Sequence, residues 1–84
     1  MNIELVNWID SYGCSTNWTS PDDIHCAVHH CFSVGYILKE SEETIIIAPH
    51  YSPLNKSIGT NEHVCGDMSI PKVSIISREI IKEG

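Results

Sequence analysis

Pro49, Pro53 and Pro71 each stop regular strand pairing where they stand, because proline has no amide hydrogen to donate to a ladder. Around them lie short runs rich in β-branched residues. Thr44-Ile45-Ile46-Ile47-Ala48 ends at Pro49, and Ser74-Ile75-Ile76-Ser77-Arg78-Glu79-Ile80-Ile81 follows the break at Pro71. Such runs read as strands. Ile3 to Asp10 alternates loosely and reads as a first strand, Cys31 to Leu38 as a second, and Val64 to Ile70 as a fourth. The charged stretch Lys39 to Glu43 reads as the turn of a hairpin joining strands 2 and 3. A loop is expected from about His50 to Glu62.

Between the first two strands, Ser20-Pro21-Asp22-Asp23 has the chemistry of a helix start: a capping serine, proline in the first turn, and two carboxylates at the positive end of the dipole. Ile24, Ala27, Val28 and Cys31 follow at i, i+3, i+4 and i+7, which places them on one face of a helix. The expected fold is therefore mainly β with one short helix. It is a small five-stranded barrel of the SH3-like or Sm-like kind, with the helix between strands 1 and 2.

The chain has 84 residues, enough for one domain spanning 1–84, with a core limited by its size. Its 42% hydrophobic and 19% charged residues are ordinary for a globular protein. With 5 Lys+Arg against 11 Asp+Glu, the net charge of −6 lacks the basic footprint that sequence-independent nucleic-acid binding needs, so no nucleic acid is expected as a partner. No apolar run approaches the ~20 residues that cross a bilayer, and Met1-Asn2-Ile3-Glu4 does not open like a secretion signal. No membrane association is expected, and the location is expected to be cytoplasmic. Cys14, Cys26, Cys31 and Cys65 then read as free thiols.

Several fragments together carry a resemblance: Trp8-Ile9-Asp10-Ser11, Ser33-Val34-Gly35-Tyr36-Ile37-Leu38-Lys39-Glu40, Ile47-Ala48-Pro49-His50 and Met68-Ser69-Ile70-Pro71-Lys72. The chain resembles a family of small uncharacterised proteins carried by bacteriophages and prophages. That resemblance implies an SH3-like or Sm-like barrel, with Ile70-Pro71-Lys72 forming the short 3₁₀ turn before the last strand. It also implies an accessory protein that blocks host defence by binding a host protein or sequestering a nucleotide signal inside the host cytoplasm. It implies no catalytic motif.

Three kinds of chemistry follow from the side chains. On the expected helix, His25 and His29 stand at i, i+4, as do Cys26 and His30, which makes half of a metal site. No CxxC or second pair completes it, so metal is the alternative reading, a small zinc-stabilised domain, and no cofactor is expected. No serine or cysteine sits in a nucleophile elbow, so no enzyme is expected. The leading site is a loop pocket. Tyr12, Trp18 and Tyr51 lie in expected loops, where rings can stack on a planar ligand, and His50, Asn55 and Lys56 can meet ribose or phosphate. The expected function is a non-enzymatic, phage-type anti-defence protein, a homo-oligomeric sponge for a nucleotide-derived small molecule. The runner-up is an interaction module that inhibits a host enzyme.

Overall fold

Residues 1–84 are described by a computed structural model in which every regular element is a strand or a single 3₁₀ turn. In chain order the strands are β1 (Ile3–Ser11), β2 (Val28–Glu40), β3 (Thr44–Ala48), β4 (His50–Ser52), β5 (His63–Cys65), β6 (Met68–Pro71) and β7 (Ile75–Lys82). Five of them form an antiparallel sheet in the order β6-β3-β2-β1-β7, and β4 pairs with β5 in a second sheet.

The expected helix does not form. Ser20 makes no side-chain cap, the turn Pro21–Asp23 closes one 3₁₀ loop, and Ile24 is already extended at φ −90°, ψ 131°. The physical reason lies in the residues that follow. Val28, His30, Phe32, Val34, Tyr36 and Leu38 also recur with period two, and a strand using that period pairs with all nine residues of β1, from Ile3 opposite Tyr36 to Ser11 opposite Val28. Ladder pairing over that length outweighs a helix whose stripe would have nothing to bury against. Ile24 and Val28, placed on the helix's core face by spacing, are 65% and 51% exposed.

The sheet also fails to close into a barrel. Its outer strands, β6 and β7, pair on one side only. β6 is four residues long and ends on Pro71, which gives β7 little backbone to meet. The stretch from Val64 to Ile70, expected as one strand, divides at Gly66, whose φ of +76° turns the chain.

Glu4, Val6 and Trp8 of β1 face the core. Val6, Ile45, Ile47 and Ile70 form its centre, with Trp8, Ile37 and Ile75 packed around it. Gly35 allows β2 and β3 to approach closely, since a Cβ there would lie 2.5 Å from the Ala48 carbonyl oxygen. Immediately beyond, Pro49 ends the β2–β3 ladder at the pair Tyr36–Ala48. Residues 28–34 of β2 therefore pair with β1 on one side and with no strand on the other, although Ser33 and Val34 share a hollow with Pro49, Gly66 and Met68.

An ion pair whose carboxylate is buried and whose guanidinium is partly exposed fastens the first strand to the last. Glu4 is 5% exposed and accepts from Arg78 Nε at 2.7 Å and Nη2 at 2.9 Å. Arg78 Nη2 also reaches Glu40 at 3.0 Å, and Lys72 Nζ reaches the other oxygen of Glu40 at 2.7 Å. The two cations hold the Glu40 carboxyl down at about 2, against an ordinary 4.5. Hydrogen bonds from Arg78 to Glu4 and Glu40 also raise the Arg78 pKa, so the guanidinium stays charged at any ordinary pH.

Candidate functional site

β1 and β2 run on past their neighbours as a two-stranded arm. The β1–β7 pairing starts at Trp8, so Ile9 to Ser11 and their partners His30 to Val28 have no third strand. Every residue from Asp10 to His30 is exposed. The arm accounts for a molecule 62 Å long and 26 Å wide.

The arm's end carries the larger concave surface. A cavity of about 660 Å³ lies among Tyr12, Cys14, Ser15, Asp23, Ile24 and His25, within the size range of small-molecule sites. Tyr12 packs on His29 with ring centroids 4.6 Å apart at 37°. Register produces this pair as a diagonal contact, since His29 lies opposite Asp10 and Tyr12 follows two residues later on the same face. At the arm's turn both Gly13 (φ +115°) and Cys14 (φ +70°) have left-handed backbone, a conformation a cysteine adopts only when its surroundings impose it. Trp18 stands out from the loop fully exposed and borders an adjoining hollow with Ser15, Thr16, Asn17, Thr19 and Ile24.

The second half of the expected pocket sits elsewhere. His50 and Tyr51 lie on β4, where Tyr51 packs on Tyr36 at 5.4 Å, and His63 and Cys65 of β5 complete a cavity of about 340 Å³. The Tyr51 hydroxyl donates to the Glu62 carboxylate, which raises the phenol above its ordinary pKa. Asn55 is committed to structure. Its side-chain oxygen accepts from the Ser57 amide at 3.0 Å, and its backbone bridges to Thr60. Lys56 is exposed in that turn.

In one chain these halves stay apart. Tyr36 pairs with Ile3 at one end of β1, and Tyr12 follows Ser11 at the other. A strand rising ~3.3 Å per residue separates the two by roughly 30 Å. Tyr12 and Trp18 thus belong to one site, His50 and Tyr51 to another. Sequence reasoning missed His29, Tyr36 and His63 as neighbours of these rings, and only strand register reveals them.

The histidines change meaning with the fold. His25 and Cys26 are in irregular chain, while His29 and His30 are adjacent on β2 and point to opposite faces. The i, i+4 geometry of the expected helix is gone. No group of three or more His, Cys, Asp or Glu side chains converges on a point that would hold a metal ion. All four cysteines are free thiols. No helix is long and apolar enough to cross a membrane.

Of the five basic side chains, Arg78 and Lys72 are held in ion pairs, leaving Lys39, Lys56 and Lys82 outside them. None of these three lines the arm cavity, whose ionisable groups are Tyr12, Cys14, Asp23 and His25. The site is therefore equipped for stacking and hydroxyl hydrogen bonds more than for clusters of negative charge. No family model, curated protein or solved structure matches the chain.

Proposed function

We propose that the protein is a non-enzymatic binding protein of phage type, acting in the host cytoplasm as a homo-oligomer that sequesters a nucleotide-derived small molecule. The observation that carries this reading is the Tyr12–His29 ring pair beside the cavity of about 660 Å³ at the end of the arm. A base stacks on the aromatic pair or on Trp18, and ribose hydroxyls bond Ser15, Thr19 and Asp23. Because no lysine or arginine lines the cavity, the ligand carries one or two phosphates rather than a polyphosphate chain.

Equilibrium dialysis of the full chain against cyclic dinucleotides, ADP-ribose derivatives and ATP tests the proposal. The expected result is depletion of a cyclic dinucleotide or an ADP-ribose derivative in preference to ATP. Depletion of none of them, or of ATP alone, overturns it.

A further inference from the structure

This chain exposes more surface than its mass accounts for. Its accessible area is 6663 Å² for 9.4 kDa, against about 5,000 Å² for a folded monomer of that mass. Its radius of gyration is 17.4 Å, against about 12 Å for a compact chain of this length. Only 7 of 84 residues are buried. The 37 backbone hydrogen bonds fall well short of the roughly 55–60 that a folded domain of this length carries. The surplus area, on the order of 1,600 Å², is about twice what one partner buries in a standard interface.

Open strand edges are where the missing bonds belong, and they differ in chemistry. β6 is short and ends on Pro71, while β7 carries Arg78, Glu79 and Lys82, the charged residues that discourage edge pairing. The open side of β2 carries neither protection. Val28-His29-His30-Cys31-Phe32-Ser33-Val34 contains no Asp, Glu, Lys, Arg or Pro, and its Val28, Phe32 and Val34 are 51%, 68% and 53% exposed.

We propose that this edge, Val28 to Val34, is the interface with a second copy of the chain, the two β2 strands pairing antiparallel about a two-fold axis at Cys31. The proposal deepens the homo-oligomer reading above and rests on it. The occupant is a second copy because a strand pairing with its own copy is self-complementary by construction. A net charge of −6 on each chain also restricts contact to a segment without carboxylates, and this segment has none. The register follows from symmetry. A two-fold pairing that uses the whole open stretch is centred on its middle residue, placing Cys31 opposite Cys31 and Val28 opposite Val34. Each arm then runs past Val34 of the other copy toward that copy's Tyr36–Tyr51 pair. The two halves of the aromatic site, about 30 Å apart in one chain, become neighbours across the dimer.

Opposed residues of antiparallel strands have Cα atoms about 4.5–5.5 Å apart, within the span a disulfide bridges. The test uses full-length chains retaining a single cysteine, Cys31 or Cys65, the others replaced by serine. Both are treated with diamide, which oxidises two thiols to a disulfide, and each is sized by sedimentation before oxidation. The expected result is a dimer before oxidation and a covalent dimer through Cys31 but not through Cys65. Phe32→Lys, and Val34→Lys should the first variant misfold by circular dichroism, raises the dissociation constant of the dimer about tenfold or more. A chain that sediments as a monomer overturns both this interface and the oligomer reading. An oligomer that does not cross-link at Cys31, or that tolerates the lysine variant, overturns the interface alone.

Discussion

Arg78 and Glu4 stand 74 residues apart in sequence and form a two-pronged ion pair, Nε to Oε1 at 2.7 Å and Nη2 to Oε2 at 2.9 Å. Glu4 is buried on the core face of β1, and Arg78 comes from the edge strand β7. The pair ties the chain's two ends together beside a core cluster of only four buried side chains. Removing Arg78 leaves a carboxylate buried without a counter-charge, so Arg78→Ala is expected to cost about 3 kcal/mol in urea unfolding. Glu4→Gln, which keeps shape and removes the buried charge, is expected to cost less. Equal losses would show that charge is not the issue.

Glu40 sets a pH window. Its folded pKa of about 2 lies below the ordinary 4.5, so its contribution to stability is complete above about pH 4.5 and is lost as the pH falls toward 2. Thermal melts across that range should show a fall for the native chain and a flatter profile for Glu40→Gln. Because Glu40 is 41% exposed, molar salt should weaken the effect.

Gly35 is a packing constraint. A Cβ there meets the Ala48 carbonyl oxygen at 2.5 Å and its carbon at 2.9 Å, both backbone atoms that cannot swing aside. Gly35→Ala is expected to destabilise the fold by about 1–3 kcal/mol, read as a fall of several degrees in Tm. A neutral result would mean that β2 and β3 do not approach so closely.

Tyr51 offers a local readout of the β4–β5 sheet. Donation to the Glu62 carboxylate keeps its phenol protonated above the ordinary pKa of 10. Alkaline titration followed by ultraviolet absorbance should show a late-ionising tyrosine. Glu62→Gln should bring that transition down toward 10.

Much of the strand pattern was legible from local chemistry. The β-branched run ending at Pro49 became β3, and the stretch after Pro71 became β7. Both are bounded by prolines, and no other element competes for them. The helix was misread because Ile24, Ala27, Val28 and Cys31 fit a 3.6 period while Val28 to Leu38 also fits a period of two. What decided between them was a partner strand 17 or more residues earlier in sequence, Ser11 lying opposite Val28. Barrel closure was equally out of reach, since it depends on whether a four-residue β6 can meet β7 in space.

For the site, the loop aromatics Tyr12 and Trp18 were recognisable as rings without a core to serve. Their separation from His50 and Tyr51 was not, because loop membership says nothing about which end of a sheet a loop occupies. The Glu4–Arg78–Glu40–Lys72 chain gave no local signal at all. Its members are joined only by strand order.

Isothermal titration of the full chain and of Tyr12→Ala, each with the ligand that dialysis selects, tests the central claim most directly. Binding heat with about one ligand per arm in the native chain, and an affinity at least about tenfold weaker in Tyr12→Ala, is the expected result. Equal affinity in the two proteins, with circular dichroism showing both folded, would contradict a site built on the Tyr12–His29 pair.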